Sequence, residues 1–266
     1  MRNLISALVV LCVAACGGGG SAPSPLAAPP LPPPVSDADP GGLWLGLLTN
    51  DDQTFEELVA ITTSDGRFAF ISLDTFGPDT FGQYFGTTTV VGADATGTGS
   101  AYAQFGSAWS DGSTVRDLTL VGIIDERNAM SGNWVTGSGE TVVYELDYDL
   151  LHEKDSSLAL LEGVWFVYDD TLNPTLTMTI DTAGAFSAQA STGCQSLGQV
   201  SIIDAAYNVY GWDVAISGGG CPIAGDYAGL AFLADVETGD PNNSQDNAIL
   251  ASISNDQRAI LLALER

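Results

Sequence analysis

Short β-type runs separated by turn residues follow one another along the chain after residue 40, and this succession constrains the fold more than any other feature. The first run is Gly42-Leu43-Trp44. The runs that follow it in the first half span residues 57–63, 67–73, 85–92, 100–105, 115–124, 129–136 and 141–147. Clusters of Gly, Asn and Asp separate them, as at Ser64-Asp65-Gly66. This pattern predicts about eight antiparallel strands joined by short turns.

A second series of about eight runs begins after a change in sequence character near residue 150. These runs span residues 162–165, 175–180, 185–190, 198–203, 208–216, 227–234, 248–254 and 259–264. The stretch between the two series, YDLLHEKDSSLALL, is the best helix-like segment. There we expect one or two helical turns with Asp155 or Ser156 as the N-terminal cap.

The sequence therefore predicts an all-β fold with two small antiparallel domains of about eight strands each. Each domain is an up-and-down barrel or a sandwich. We expect a first β domain over residues 41–150, a connector over 151–161 and a second β domain over 162–266.

Each half opens on the same short motif, Gly-x-Trp, at Trp44 and at Trp165, and each continues with a hairpin closing on Gly-x-Phe. The motif resembles that of the lipocalin-like barrels. The resemblance implies that each tryptophan closes the floor of a barrel and that an arginine from a late strand packs over it. Arg258 is the candidate in the second half. Arg67, Arg116 and Arg127 are the arginines of the first half, and none lies on its last predicted strand.

The N-terminus carries a different signal. Arg2 precedes an apolar stretch from Leu4 to Ala15, which is the length of a signal-peptide core and too short to span a bilayer as a helix. The stretch ends in Val13-Ala14-Ala15-Cys16, which resembles the lipobox of bacterial lipoproteins. This resemblance implies a signal peptide over residues 1–15, cleavage before Cys16, and acyl chains, palmitate among them, on that cysteine.

The residue after the cysteine, Gly17, is not the Asp that favours inner-membrane retention in lipoproteins of the enterobacterial type. The resemblance therefore implies an anchor in the outer membrane and leaves the leaflet open. Residues 16–40 hold the lipidated cysteine and a stalk with most of the chain's prolines. A Gly- and Pro-rich stalk of this composition is predicted to have no fixed structure.

Export also bears on the two remaining cysteines. Cys194 and Cys221 would reach an oxidising compartment, where an even pair is expected to form a disulfide. A zinc site is the alternative, but two cysteines without nearby histidines make a poor ligand set. The oxygen-rich stretch from Asp235 to Asp246 lacks the EF-hand spacing. We therefore predict no metal site and no cofactor, and the sequence leaves open whether the acidic loops bind calcium.

Charge excludes one class of partner. The chain has 33 acidic and 7 basic residues and a formal net charge of −26. Such a surface repels nucleic acid, so a nucleic-acid partner is not expected. The membrane, through the lipid, is the partner that the sequence predicts. A protein or a small apolar ligand is also compatible, and the oligomeric state stays open.

Catalytic motifs are absent from the sequence. His152 is its only histidine, and it contains no Gly-x-Ser-x-Gly elbow, P-loop or dinucleotide fingerprint. No catalytic residue is predicted. A pair of carboxylates could still support glycoside hydrolysis, but the sequence does not select a pair.

Aromatic residues are the remaining candidates for binding. They are interleaved with glycine in both halves, at Tyr84, Tyr102, Trp109, Tyr210 and Trp212. Such residues line ligand sites, stack on sugars or fill a core. The sequence thus favours a lipid-anchored envelope protein that presents two β domains for non-catalytic binding or interaction. A lipocalin-like carrier of a small apolar ligand and a carboxylate-based hydrolase are the alternatives.

Overall fold

The fold is all-β, as the sequence predicts, and consists of two closed antiparallel barrels of eight strands each. A computed structural model describes residues 36–50, 54–73, 82–169, 171–234 and 247–266. The predicted signal peptide, Cys16, most of the stalk and the stretch from Asp235 to Asp246 lie outside these residues. None of the helices within the described ranges is long and apolar enough to cross a membrane.

Strands β1–β8 form the first barrel in simple up-and-down order, and β8 pairs with β1 to close it. Of the two architectures that the sequence allows, the barrel is therefore correct. The strands are β1 (Gly42–Thr49), β2 (Phe55–Thr62), β3 (Arg67–Leu73), β4 (Gln83–Val91), β5 (Asp94–Tyr102), β6 (Val115–Asp125), β7 (Ala129–Thr136) and β8 (Thr141–Tyr148).

The second barrel repeats this plan, with β16 adjoining β9 through the pair Glu265 and Phe166. Its strands are β9 (Gly163–Tyr168), β10 (Pro174–Ile180), β11 (Ala185–Ala190), β12 (Gln195–Ile202), β13 (Tyr210–Ser217), β14 (Gly225–Ala234), β15 (Ala248–Ser254) and β16 (Ala259–Glu265).

The connector holds a 3-10 turn, Leu150–Glu153, and one short helix, α1 (Leu158–Leu161). The cap of α1 is Ser157, whose side chain accepts from the amide of Ala159 at 3.2 Å. The predicted caps Asp155 and Ser156 are therefore wrong by one or two residues. Ser156 instead donates its hydroxyl to the carbonyl of Asp204 at 2.9 Å, which ties the connector to the loop after β12.

Each barrel buries a core of inward-facing side chains in which aromatic rings are prominent. Phe70, Trp134 and Tyr144 pack together in the first barrel. Tyr144 fits because the two residues facing each other across β6 and β7 are Gly122 and Gly132. A Cβ atom at either glycine would lie 2.4 or 2.6 Å from the Tyr144 hydroxyl oxygen. The glycines thus provide the space for the ring.

The two barrels also bury apolar side chains between them. These project from the outer faces of the first barrel, the connector and the second barrel: Leu43, Ile61, Ala69, Leu151, Val209, Leu230 and Phe232. Inside this contact, the hydroxyl of Ser252 donates to Oε1 of Gln83 at 2.7 Å. The barrels belong to one compact unit, Ser36–Arg266.

Candidate functional site

The two ends of the first barrel differ in how they are closed. At one end Trp44 is fully buried, and its indole N–H donates to the hydroxyl of Thr62 at 2.8 Å. The incoming chain reinforces this end, because the amide of Ala38 donates to the carbonyl of Gly92 at 2.7 Å. This is the floor of the barrel. The opposite end, where β1, β3, β5 and β7 finish, is the mouth.

Two adjoining cavities lie at the mouth, with volumes of about 310 Å³ and about 170 Å³. They share three lining residues, Asn50, Tyr84 and Trp109. The larger cavity is completed by Trp134, Thr136, Glu140, Thr141 and Val142. We refer to these eight lining residues of the larger cavity as the mouth site.

Strand alternation positions two of the aromatic side chains of the mouth site. Tyr84 on β4 and Trp134 on β7 both point into the barrel, where their ring centroids lie 4.5 Å apart. Trp134 also stacks on Tyr144, with centroids 5.4 Å apart and an angle of 24° between the planes. Burial, together with the charge of nearby Glu56, raises the pKa of Tyr84. Its hydroxyl therefore stays protonated at neutral pH.

The third aromatic side chain, Trp109, comes from the loop between β5 and β6. Its backbone bonds to the same loop, because its amide donates to the carbonyl of Ser113 and its carbonyl accepts from the amide of Gly112, both at 2.8 Å. Gly112 has a φ of +82°, which favours glycine in this tight turn. The loop thus holds Trp109 over the mouth.

A buried arginine supports Trp109 from inside. The guanidinium of Arg116 lies 5.1 Å from the centre of the Trp109 ring and forms ion pairs with Glu140 and with Asp111, the latter at 3.1 Å. Hydrogen bonds from the hydroxyl and amide of Ser113, and then Arg116, lower the pKa of Asp111 to about 2. Arg116 is thus paired with two carboxylates of this chain, and it also donates to the hydroxyl of Ser113 at 3.3 Å.

Two indole N–H groups at the mouth site lack a hydrogen-bond acceptor within the described part of the chain. They belong to Trp109 and Trp134, and Nε1 of each is shielded from solvent. A buried donor without an acceptor costs roughly 1–3 kcal/mol. The site therefore holds donors that an acceptor atom of a ligand would satisfy.

Among the described residues, the two carboxylates that line the cavities at the mouth have partners in this chain. Glu56 accepts from the side-chain amide of Asn50 at 2.9 Å and from the hydroxyl of Ser72. Glu140 is paired with Arg116. The only histidine of the sequence, His152, lies in the turn after β8, at the floor end of the barrel and not at the mouth. The mouth thus combines aromatic side chains with two indole N–H groups that have no acceptor among the described residues.

The structure brings together two of the five aromatic candidates from the sequence, Tyr84 and Trp109. Tyr102 lies on the outer face of β5, edge-on to Phe85 at 5.6 Å. Tyr210 and Trp212 fill the second barrel, where Trp212 packs on Phe186 at 4.9 Å. Those two share one sheet face, as their alternation predicts.

Sequence reasoning did not select Trp134, which lies at the centre of the site. Its inward position is readable from alternation along β7, because Met130, Trp134 and Thr136 are buried while Ser131 and Val135 are exposed. Alternation alone, however, does not distinguish a side chain at a cavity from one inside a filled core.

The interior of the second barrel is nearly filled. Its cavity measures about 70 Å³ and is lined mainly by apolar side chains, Trp212 among them. Ligand chambers generally begin at about 300 Å³. This volume does not favour the second barrel as a carrier of an apolar ligand.

Trp165 lies at the floor of the second barrel and donates its indole N–H to the carbonyl of Leu161 at 2.7 Å. The arginine over its ring is Arg266, at 4.5 Å, and the prediction of Arg258 for this position is wrong. The reason is strand direction. Arg258 precedes β16 at the end far from Trp165, whereas Arg266 follows it near β9. Arg258 instead lies 5.5 Å from the ring of Phe105 and donates to the carbonyl of Pro222.

The predicted disulfide between Cys194 and Cys221 is present, with the Cα atoms 5.1 Å apart. It joins the turn before β12 to the loop after β13, at the end of the second barrel opposite Trp165. Among the described residues, no three His, Cys, Asp or Glu side chains are grouped so that they could hold a metal ion.

Comparison with known proteins adds little. No protein-family model matches the chain, and no curated protein matches it. Among solved structures, the chain is similar to a protein of Bacteroides fragilis that is named only provisionally as an outer membrane protein. The identity is 12%, the match covers 84% of this chain and 95% of the other, and the TM-score is 0.30. A likeness at this level carries no argument, so the function is inferred from the site.

Proposed function

We propose that the protein is a lipid-anchored protein of the bacterial outer membrane whose first barrel binds a small ligand, without catalysis, at the mouth site. The observation that carries the binding proposal is the pair of shielded, unpartnered indole N–H groups, Trp109 and Trp134, beside a cavity of about 310 Å³. A cavity of this size is at the lower end of the range for small-molecule sites.

The anchor rests on the sequence. Val13-Ala14-Ala15-Cys16 resembles a lipobox, and the Gly- and Pro-rich stretch behind it suits a tether. At full extension, the roughly 24 residues of this stretch would reach on the order of 70 Å. A tether of that length lets the barrels meet a ligand away from the membrane surface. Several acyl chains hold firmly where one chain holds only weakly.

Two observations favour binding over hydrolysis at the mouth. The carboxylates Glu56 and Glu140 are already engaged by Asn50, Ser72 and Arg116. The only histidine, His152, packs against Tyr207 between the barrels. Within the described part of the mouth, two free, facing acids of the kind that glycoside hydrolysis requires are therefore absent.

The anchor is tested by metabolic labelling with a clickable fatty acid. We expect label on the wild-type protein and none on Cys16→Ala. Cys12→Ala is the matched control, because that cysteine lies in the segment predicted to be removed, and it should label normally. Label that persists on Cys16→Ala would mean that the lipobox interpretation is wrong.

Binding is tested by thermal-shift screening of the purified full-length mature protein against a chemically broad library of metabolites. We expect at least one compound to raise the melting temperature of the wild type and of Trp212→Phe, but not of Trp134→Phe. The two variants make the same change to the same kind of unpartnered indole, one in each barrel. Stabilisation that survives equally in Trp134→Phe would place the site elsewhere, and the absence of any stabilising compound would count against a ligand site.

A further inference from the structure

We infer that the ligand of the mouth site is a neutral sugar residue, bound by stacking on the ring of Trp109 and by hydroxyl oxygens that accept from the indole N–H groups of Trp109 and Trp134. This inference rests on the proposed function and names its ligand class. It draws on four features of the site, which are the unpartnered donors, the ring faces, the polar groups beside them and the balance of charge.

The donors define what the ligand must supply. Nε1 of Trp134 belongs to a side chain with 0% of its surface exposed, and Nε1 of Trp109 is shielded as well. An indole N–H donates and never accepts. The complementary group is an oxygen acceptor, such as a hydroxyl, an ether or a carbonyl oxygen. A sugar ring carries several such oxygens around its edge.

The ring faces define the body of the ligand. Three aromatic side chains, Tyr84, Trp109 and Trp134, line a cavity of about 310 Å³. Tyr84 is 5% and Trp134 0% exposed, so the half-buried ring of Trp109 is the aromatic face that a ligand can cover. Pyranose rings present C–H groups on a face and hydroxyls at the edge, so one molecule satisfies both an aromatic surface and hydrogen-bonding groups around it. The smaller cavity of about 170 Å³ shares Asn50, Tyr84 and Trp109, and it gives room for a substituent or a second unit.

The polar groups of the site offer acceptor oxygens to hydroxyls. Asn50 donates its side-chain amide to Thr54 at 3.0 Å and to Glu56 at 2.9 Å, so its amide offers a ligand an oxygen that accepts. The hydroxyl of Thr136 shares a hydrogen bond with Ser138 at 2.8 Å, and a hydroxyl oxygen has two lone pairs that accept. Sugar hydroxyls can donate to such oxygens.

Charge argues against an anionic ligand. Glu140 lines the cavity and Glu56 the neighbouring one, in a chain with a formal net charge of −26. Arg116 is the nearby cation, and it is already paired with Glu140 and Asp111. A carboxylate or phosphate group would therefore meet acids without gaining a free cation.

Charge also argues against a quaternary ammonium ligand, which aromatic cages can bind. The guanidinium of Arg116 lies 5.1 Å from the centre of the Trp109 ring, so a cation already interacts with that aromatic group. An ammonium group accepts no hydrogen bond, and it would leave both indole N–H groups unsatisfied. A neutral, oxygen-rich ring fits these observations best.

The test is isothermal titration calorimetry on the full-length mature protein in a polyoxyethylene detergent, which contains no sugar headgroup. The probes are glucose, galactose, mannose, N-acetylglucosamine and their short oligomers, with glucuronate as the anionic probe and choline as the cationic one. We expect a neutral saccharide to bind, Trp134→Phe to weaken it at least tenfold, and Trp212→Phe to leave it unchanged. If Trp134→Phe does not fold, Trp109→Phe replaces it in the titration. Trp109 lies on a loop outside the strands, and we expect its replacement to weaken saccharide binding in the same way.

The outcomes separate this inference from the proposed function. If choline or glucuronate binds and no neutral saccharide does, the inference of a neutral sugar is wrong. The proposal that the mouth site binds a small ligand is then retained. The same holds if the library screen finds a ligand that depends on Trp134 and every saccharide fails. If a saccharide binds equally well to Trp134→Phe and Trp109→Phe, it binds elsewhere and the inference is overturned. If neither the panel nor the library yields a ligand, both fail.

Discussion

The tryptophan side chains divide into two groups by their hydrogen bonds. Trp44 and Trp165, at the barrel floors, donate to Thr62 and to the carbonyl of Leu161. Trp109, Trp134 and Trp212 bury their indole N–H without an acceptor among the described residues. A buried indole N–H normally finds a partner. The floor residues therefore have a structural role, whereas Trp109 and Trp134 line a cavity of about 310 Å³ and Trp212 lies beside one of about 70 Å³.

A second residue with a structural role is His152, which forms a contact between the two barrels. Its ring stacks on Tyr207 with centroids 4.6 Å apart, and its Nδ1 lies 2.7 Å from the hydroxyl of Tyr148. That hydroxyl donates its one proton to Glu153 at 2.7 Å, so Nδ1 of His152 carries a hydrogen and donates to the Tyr148 oxygen. Arg127 completes the cluster by donating to the hydroxyl of Tyr207 at 2.6 Å.

Burial lowers the pKa of His152 to about 4, from an ordinary value near 6.5, although Glu153 and two aspartates act in the opposite direction. The unfolded chain therefore takes up a proton at this residue at a higher pH than the folded one. The stability that depends on neutral His152 is complete above about pH 6.5 and falls as the pH drops towards 4. The loss by then is about 3 kcal/mol.

This dependence is measured as the free energy of unfolding in urea between pH 7 and pH 4, for the wild type and for His152→Gln. The carboxylates titrate in both proteins, so the difference between the two curves isolates the histidine. We expect the wild type to lose more stability than the variant over this interval. Parallel curves would contradict the burial argument.

Among the secondary-structure elements, hairpins are the part of the fold that the sequence predicts best. The predicted runs at 67–73, 129–136, 185–190 and 248–254 match β3, β7, β11 and β15 residue for residue. Each is bounded by turn residues, and three of the four carry two or three β-branched or aromatic side chains. The run at 185–190 carries only Phe186 of these types and is marked by its turns. By contrast, the first six residues of β5 were missed, because Thr96-Gly97-Thr98-Gly99 has the composition of a turn. In the barrel, close contact with neighbouring backbone favours glycine there.

The contact between the barrels had a signal in the sequence that alternation does not capture. Strands β3, β14 and β15 are apolar on both faces, as in Phe68-Ala69-Phe70-Ile71 and Ala231-Phe232-Leu233. A strand buried on both faces has a continuous apolar run instead of an alternating one. Such runs indicate that a second layer covers the strand, but they do not identify the layer.

The candidate site was only partly predictable for a similar reason. Tyr84 and Trp109 could be selected as aromatic residues near glycine. Their meeting with Trp134 depends on barrel closure, which brings β4 close to β7, and on the loop that places Trp109 over the mouth. Whether a buried indole N–H has a hydrogen-bond acceptor depends on how the barrel packs around it. The local sequence does not specify this.

At the level of the whole molecule, the contact between the barrels makes them one compact unit instead of two independent domains joined by a linker. Leu230 and Phe232 from β14 pack with Ile61 and Ala69 from β2 and β3, and the buried hydrogen bond of Ser252 to Gln83 lies in the same contact. Each fully buried large apolar side chain contributes roughly 1.5–3 kcal/mol. Several such residues suffice to couple the unfolding of the two barrels.

We therefore expect the wild type to unfold in a single calorimetric transition and Phe232→Asp to unfold in two. Phe232 has 6% of its surface exposed in the contact, and burying an unpaired carboxylate there would separate the barrels without entering either core. The matched control is Leu197→Asp, which changes a residue that is 67% exposed on the outer face of β12 and should keep the single transition. Differential scanning calorimetry distinguishes these results. Two transitions in the wild type, or one in Phe232→Asp at an unchanged temperature, would show that the barrels are not coupled through this contact.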